Sequence, residues 1–247
     1  MTMLAPSLTI RTHALRLIAA AACALSLTGC QSIQSTAAQS AGVRFVDVSP
    51  DAPGLDFLLN KNVEVYNFGY SSYTQNYLGV SSGTYTVSVA SSGSDSQALA
   101  SSSLTVKSGT RYTILAGNSL ANLQLSSYTD QTTAAPSGSI SIRLLDQSSS
   151  VGAVDIYMVP QSGSLTTTNA LYTGLTFSGN SGYLTVPSGS YTLEILPTGT
   201  VPISTTIASY SGSVVSYEAG EVRTVVLYDN KLSTAQPIQA ITMNDFD

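Results

Sequence analysis

Thr84-Tyr85-Thr86-Val87-Ser88-Val89 alternates polar and apolar side chains over six residues. An extended backbone turns successive side chains to opposite faces, so this is the period of a strand with one buried face. The same texture extends outward in both directions. Val43 to Val48, Val63 to Phe68 and Arg111 to Leu115 are short runs rich in Val, Ile, Leu, Tyr and Thr. Clusters of Ser, Gly, Asn and Pro separate them. No segment after the N-terminal apolar run sustains a 3.6-residue period. Many short strands at regular spacing predict a β-sandwich or barrel.

The chain also repeats itself. Tyr77-Leu78-Gly79-Val80-Ser81-Ser82-Gly83-Thr84-Tyr85-Thr86-Val87 returns as Tyr183-Leu184-Thr185-Val186-Pro187-Ser188-Gly189-Ser190-Tyr191-Thr192-Leu193. Val43-Arg44-Phe45-Val46-Asp47 returns as Ile142-Arg143-Leu144-Leu145-Asp146, and Leu55-Asp56-Phe57 as Val154-Asp155-Ile156. Gly109 to Leu115 is echoed by Gly220 to Leu227. A period of about a hundred residues is a domain, not a solenoid unit. The expectation is an all-β protein of two tandem sandwich domains, residues 43–130 and 139–247, joined by a linker at 131–138. Gly83 and Gly189 are expected to take the positive φ of a tight turn. Tyr85 and Tyr191 would then open a strand, ring inward and hydroxyl capping a loop.

Ahead of the first repeat lies a different kind of sequence. Arg11 and Arg16 precede an apolar run from Leu17 to Leu27, which ends in Leu27-Thr28-Gly29-Cys30. A short apolar core behind basic residues is a secretory signal, too short to span a bilayer as a stable helix. Small residues leading to a cysteine resemble the lipobox of bacterial lipoproteins. Residues 1–29 are thus expected to be a signal peptide, with lipid on Cys30. Residues 30–42, small and polar, would form a flexible tether. Gln31 stands where an inner-membrane retention signal would be Asp, so the resemblance implies a lipid-anchored protein of the outer membrane.

Composition narrows the chemistry. The only histidine, His13, and one of the two cysteines, Cys23, lie in residues 1–29. Residues 30–247 therefore contain no His and only Cys30, which excludes Ser-His-Asp and Cys-His catalysis, His-Cys zinc sites, haem attachment and disulfides within one chain. Removing Arg11 and Arg16 turns 9 basic residues into 7 against 14 acidic ones, a net charge near −7. With no basic run, nucleic acid is not an expected partner.

Ser49-Pro50-Asp51-Ala52-Pro53, followed by Leu55-Asp56-Phe57 and later Gly83-Thr84-Tyr85-Thr86-Val87, resembles the bacterial envelope family called domain of unknown function 4397. The second copy keeps the Asp155 strand and Ser188-Gly189-Ser190-Tyr191, but has Ser148-Ser149-Ser150-Val151-Gly152 in place of the Ser-Pro-Asp-Ala-Pro motif. The resemblance implies an immunoglobulin-like or transthyretin-like sandwich in exported, often surface-attached proteins. It implies no activity. Relatives often carry His where this chain has Asp47, so no role of that histidine transfers.

Asp47, Asp51 and Asp56 fall within ten residues. They are candidate ligands of a calcium ion, a candidate carboxylate pair for glycoside hydrolysis, or structural groups. In the structural reading Asp51 organises its turn, while Asp47 and Asp56 pair with Arg44 or cap strand ends. Return of the outer two as Asp146 and Asp155 favours the structural reading. Tyr66, Tyr70, Tyr73 and Tyr77 sit in or beside a loop-like stretch, and Tyr70 and Tyr73 are candidate ligand-contact aromatics for a sugar or a protein. No cofactor is expected beyond the covalent lipid and that calcium. The expected function is non-enzymatic: a membrane-anchored module that binds or scaffolds an envelope protein or glycan. The alternative is an accessory protein to carbohydrate-active or other carboxylate-dependent hydrolysis, or a calcium-binding surface protein.

Overall fold

The computed structural model describes residues 40–246. The expected signal peptide, Cys30 and nearly all of the expected tether lie outside the described residues.

Nine strands form the first repeat: β1 (Ala41–Asp47), β2 (Leu55–Leu59), β3 (Asn62–Phe68), β4 (Ser72–Tyr73), β5 (Leu78–Val80), β6 (Gly83–Ser91), β7 (Ala98–Val106), β8 (Arg111–Gly117) and β9 (Gln124–Asp130). Nine more come after them: β10 (Ser139–Asp146), β11 (Val154–Pro160), β12 (Tyr172–Leu175), β13 (Asn180–Pro187), β14 (Gly189–Pro197), β15 (Tyr210–Ser211), β16 (Val215–Tyr217), β17 (Val222–Asp229) and β18 (Ile238–Asn244). Apart from two short 3₁₀ turns, the regular structure of the described residues is all strand. β1 begins at Ala41, two residues before the alternation predicts, because Ala41 and Gly42 pair with Val80 and Gly79.

Each repeat is a two-sheet sandwich, as the pattern predicts. In the first, β4-β1-β8-β9, with β5 also on β1, faces β3-β2-β6-β7. In the second, β13-β10-β17-β18 faces β12-β11-β14-β15, with β16 also on β14. The pairing is antiparallel except for β1 with β8 and β10 with β17, which run parallel at the centre of corresponding sheets. Strand parity decides what fills each sandwich. Val43, Phe45, Leu55, Phe57, Val87, Val89 and Ile114 form the first core. Ile142, Leu144, Val154, Ile156, Ile195, Val225 and Leu227 form the second.

Tyr85 and Tyr191 pack against these cores. Their hydroxyls donate back to Ser81 O (2.8 Å) and Pro187 O (2.9 Å), so each ties down the turn before its own strand. Gly83 and Gly189 take the expected positive φ, at +157° and +154°, as first residues of β6 and β14. They lie beside the ring: a Cβ on Gly189 would meet Tyr191 Cε2 at 3.4 Å.

The even-numbered residues of β1 and odd-numbered residues of β10 point away from these cores, toward a third one. Val46, Val48 and Leu115 of the first repeat interleave with Leu145, Val226, Tyr228, Ile241 and Met243 of the second. Four charges are buried in the same seam. Arg44 donates from Nε to Thr113 Oγ1 (2.8 Å), from Nη1 to Asn244 O (2.7 Å) and from Nη2 to Asp245 Oδ1. Arg143 donates from Nε to Thr224 Oγ1 (3.1 Å), from Nη1 to Thr129 O (2.9 Å) and from Nη2 to Asp130 Oδ1 (2.5 Å). Thr113 and Tyr77 donate to the other oxygen of Asp130, as Thr224 and Tyr183 do to that of Asp245. Each guanidinium also lies over a ring, Arg44 4.9 Å from the Tyr77 centroid and Arg143 4.8 Å from that of Tyr183. The two repeats thus exchange carboxylates in matching geometry: the arginine of each is neutralised by an aspartate of the other.

Burial opposes the charge on Arg44, but Asp245 and Asp130 outweigh it, so its pKa is raised. Removing one partner strands buried donors. Asp245→Ala is expected to lower stability by about 3–5 kcal/mol, and Asp130→Ala by a similar amount. Replacing all four charges together with Met and Leu should cost much less than the single losses summed. Urea denaturation of the three variants checks this, and additive losses would contradict it.

Candidate functional site

The loops following β1, β6 and β8, and those following β10, β14 and β17, lie at one end of the two sandwiches. Tyr70 and Tyr228 mark the common end: Tyr70 OH donates to Asp229 O, and Tyr228 OH reaches Ser71 Oγ at 3.2 Å. Ser40 and Ser139, where the repeats begin, lie at the opposite end.

Asp47, Asp51 and Asp56 are adjacent in sequence but take separate partners. Asp47 shares the core face of β1 with Val43 and Phe45 and is fully buried. Its Oδ1 accepts from Ser49 N (2.9 Å), and its Oδ2 has no hydrogen-bond partner. Asp146 repeats this, with Oδ1 accepting from Ser148 N (2.8 Å) and Oδ2 unpartnered. Burial pushes both carboxyls up to about 7. Asp51 is exposed and accepts from Leu120 N (2.6 Å), bracing the loop after β8. Asp56 accepts from Asn67 N (2.6 Å) and Gly93 N (3.1 Å), joining two loops. Burial raises its pKa, but these backbone donors prevail and hold it below the usual carboxylate range. Asp155 does the same work in the second repeat, accepting from Gly174 N, Thr198 Oγ1 and Gly199 N.

The expected pairing of Asp47 or Asp56 with Arg44 does not form. Arg44 lies on the opposite face of β1 from Asp47, which sends it into the seam and to Asp245. Among the described residues no group of three or more His, Cys, Asp or Glu side chains is arranged to hold a metal ion.

Asp229 gave no signal in the sequence, yet it replaces the missing motif. In the first repeat Ser49 Oγ donates to the backbone of Asn118, at the end of β8 (2.7 Å). In the second, Asp229 ends the matching strand, β17. It accepts from Ser148 Oγ (2.5 Å), from Ser149 N and Oγ (3.2 and 2.9 Å) and from Ser150 N and Oγ (3.0 and 2.6 Å). Burial raises the Asp229 pKa, but the serine donors outweigh it and the net shift is downward. The carboxylate that organises this loop has moved from the loop itself to the neighbouring strand.

Tyr70 and Tyr73 pack on the seam cluster and are half-buried. The Tyr70 ring meets Tyr228 edge-on at 5.6 Å, with Lys231 Nζ 4.8 Å from its centroid. Burial raises the pKa of its hydroxyl. Tyr70, Ser71, Lys231, Leu232 and Gln239 line an open hollow of about 330 Å³. The strongly exposed ring of this region is Tyr66, 68% exposed.

A second feature of this end emerged only from the structure. The loop between β14 and β15 carries no charged residue, and three of its aliphatic side chains face outward: Val201 (79% exposed), Ile203 (60%) and Ile207 (82%). Asp155 holds its base through Thr198 and Gly199. Leu232, 91% exposed, projects from the loop after β17.

Residues 41–157 match the family model described as Domain of unknown function (DUF4397), a span that covers the first repeat and the opening strands of the second. Among solved structures, the Bacillus anthracis TIE protein aligns at 9% identity and a TM-score of 0.25, over 83% of this chain and 44% of that one. A leucine-rich repeat protein from Bacteroides thetaiotaomicron aligns at 16% identity and a TM-score of 0.22, over 75% of this chain and 26% of that one. The chain therefore spans less than half the length of either, and neither likeness carries an argument. No curated protein matches the chain.

The carboxylates yield two expected outcomes. An unfolded Asp releases its proton near 3.8, whereas native Asp47 and Asp146 hold theirs to about 7. The native state therefore binds more protons between these values, and stability falls as pH rises from about 4 to 7. Asp47→Asn with Asp146→Asn is expected to raise the melting temperature at pH 8 by several degrees and to change it little at pH 4. Scanning calorimetry at the two pH values decides it; an equal shift at both would contradict the assignment. Separately, Asp229→Ala should cost about 2–4 kcal/mol and Asp51→Ala less than about 1 kcal/mol, a ranking that thermal melts would reverse if the loop is organised otherwise.

Proposed function

We propose that this chain, whose residues 41–157 match the family model of the domain of unknown function DUF4397, is a non-enzymatic, lipid-anchored envelope protein that presents its loop end to a partner. The observation that carries the reading is the uncharged loop with Val201, Ile203 and Ile207 exposed at the end opposite Ser40. Three large aliphatic side chains held in water are unfavourable unless another surface covers them. The Leu27-Thr28-Gly29-Cys30 stretch supports the anchor. Lipid chains on Cys30 would hold the N-terminal side of the first sandwich toward the outer membrane and leave the loop end facing away.

A non-enzymatic role is supported by the occupation of the carboxylates. Asp56, Asp155 and Asp229 each accept from backbone amides, and Asp130 and Asp245 neutralise buried arginines. A carboxylate held by several donors is a poor proton acceptor. The partner that fits is an envelope protein with an apolar patch, since the loop offers hydroxyls and aliphatic surface but no charge.

Intact mass spectrometry of the membrane-extracted protein, with Cys30→Ala beside it, tests the anchor. A diacylglyceryl mass on Cys30 and release of the variant into the soluble fraction are expected. An unmodified chain that starts elsewhere would overturn the lipoprotein reading. A photocrosslinker at Ile207 tests the loop separately: a discrete adduct in intact cells, abolished by Val201→Asp with Ile203→Asp, is the expected result.

A further inference from the structure

β7 is the longest edge strand among the described residues, nine residues from Ala98 to Val106, and it pairs on one side alone, with β6. It lies in the sheet turned away from the second sandwich, since the seam is built on the sheet of β1 and β8. Its sequence, Ala98-Leu99-Ala100-Ser101-Ser102-Ser103-Leu104-Thr105-Val106, has no charge and no proline. Such an edge is a template for another strand, and proteins commonly blunt it with bulges, charges or breaks. β3, the far edge of the same sheet, carries Glu64 and two register shifts against β2. In the second repeat the place of β7, beside β14, is split between β15 and β16, two and three residues long. β7 instead keeps one regular register against β6 from Ala100 to Val106.

The direction of its free groups follows from its neighbours. Asn60 N donates to Thr86 O (2.9 Å) and Thr86 N to Asn60 Oδ1 (2.8 Å), so Thr86 turns its backbone away from β7. Thr86 stands opposite Ser103. Opposed pairs of an antiparallel ladder alternate between hydrogen-bonded and not, so Ser101, Ser103 and Thr105 turn their N–H and C=O groups outward. Their side chains are exposed as well. Ser102 has the parity of Leu104 and Val106, which face the core. Its Oγ is shut off from solvent and has no hydrogen-bond partner, an unfavourable state for a hydroxyl.

We propose that β7 pairs with β7 of a second copy of this chain, antiparallel about a two-fold axis at Ser102. In that register Ser101 and Ser103 exchange backbone hydrogen bonds with Ser103 and Ser101 of the second copy. Ala100 meets Leu104 on the core side, and Leu99 meets Thr105 on the outer side. Ser102 meets its own counterpart in a non-hydrogen-bonded pair, where side chains come closest, and one hydroxyl donates to the other. An axis at Ser101 or Ser103 would set Ser102 against Ala100 or Leu104 and leave its hydroxyl unmet. Charge agrees with the pairing: Lys107 lies just beyond one end of β7 and Asp95 just before the other, so antiparallel copies bring them to the same ends. Two four-stranded sheets then become one continuous sheet. The axis reverses one copy against the other, so their loop ends point in opposite directions. Under the orientation of the proposed function, on which this consequence alone rests, the dimer joins copies anchored on facing surfaces.

Disulfide trapping in the full chain, with Cys23→Ala and Cys30→Ala removing the natural thiols, tests the dimer without depending on the anchor. Residues opposed in a non-hydrogen-bonded pair have Cα atoms about 4.5 Å apart, within reach of a disulfide. Ser102→Cys is expected to give a covalent dimer on non-reducing electrophoresis after mild oxidation. Ser101→Cys, whose counterpart lies diagonally across at about 7–8 Å, should give about tenfold less. Adding Ser101→Lys and Ser103→Lys to Ser102→Cys sets like charges opposite each other and should lower the yield about tenfold. Ser101→Lys with Ser103→Glu sets opposite charges there and should restore it. Both pairs of changes are on the exposed face, so thermal melts are expected to stay close to the parent. Absence of a dimer from Ser102→Cys, an equal yield from Ser101→Cys, or a yield that the two lysines do not lower would each overturn the proposal. Failure of the lysine–glutamate pair to restore the dimer would overturn the register at Ser102.

Discussion

The reciprocal exchange of carboxylates between Arg44 and Asp245 and between Arg143 and Asp130 is the constraint on which the arrangement of the repeats depends. Two sandwiches joined by eight residues could meet in many ways. A buried guanidinium tolerates few of them. Each arginine uses Nε within its own sheet, on Thr113 or Thr224, and turns its other two nitrogens to the opposite repeat. The net free energy comes from elsewhere, because taking four charges out of water roughly cancels what they gain from one another. Val46, Val48, Leu115, Leu145, Val226, Ile241 and Met243 supply the apolar burial that holds the seam closed. The charges decide its register, since sliding one sheet past the other by a residue pair would leave ions and threonine hydroxyls unmatched in a dry interface.

That division of labour accounts for how the loops are built. With the seam occupied and the cores full, each sandwich has its loop ends left to organise, and it uses aspartates for that. Asp56 and Asp155 are interchangeable solutions at equivalent positions. Asp51 and Asp229 are different solutions to one problem, the bracing of the loop after the first strand against the end of the eighth. Diverged repeats can keep a hydrogen-bonding requirement while moving the residue that meets it, because the acceptor needs only to arrive at the right point in space.

The fold was legible because its evidence is local. Alternation in β6 and β14, the Tyr85 and Tyr191 strand entries and the repeated Arg-centred strands all lie within a few residues of sequence. The tyrosine hydroxyls cap their turns as the pattern implies. The positive φ of Gly83 and Gly189 was legible too, while the room each leaves for the following tyrosine ring was not. The seam was not legible. Arg44 and Arg143 are charged residues inside apolar strands, a hint of buried partners, but those partners are 201 and 13 residues away. The carboxylate cluster misled for the same reason: Asp47, Asp51 and Asp56 are close along the chain, while strand parity and an intervening turn send them in different directions.

The exchanged aspartates also bear on how the molecule comes to be made. A polypeptide emerges N-terminus first, so every strand of the first sandwich exists before most of the second has been synthesised. Its core can close, but Arg44 then faces water, its guanidinium hydrated and its face of β1 uncovered. The missing carboxylate arrives two hundred residues after the arginine. Until then the half-built protein carries an unfinished surface, with Arg44, Val46 and Val48 uncovered. Arg143 and Asp130, thirteen residues apart, are made almost together, so the half of the seam that waits longest is the one that the tail of the last strand completes by bringing Asp245 to Arg44.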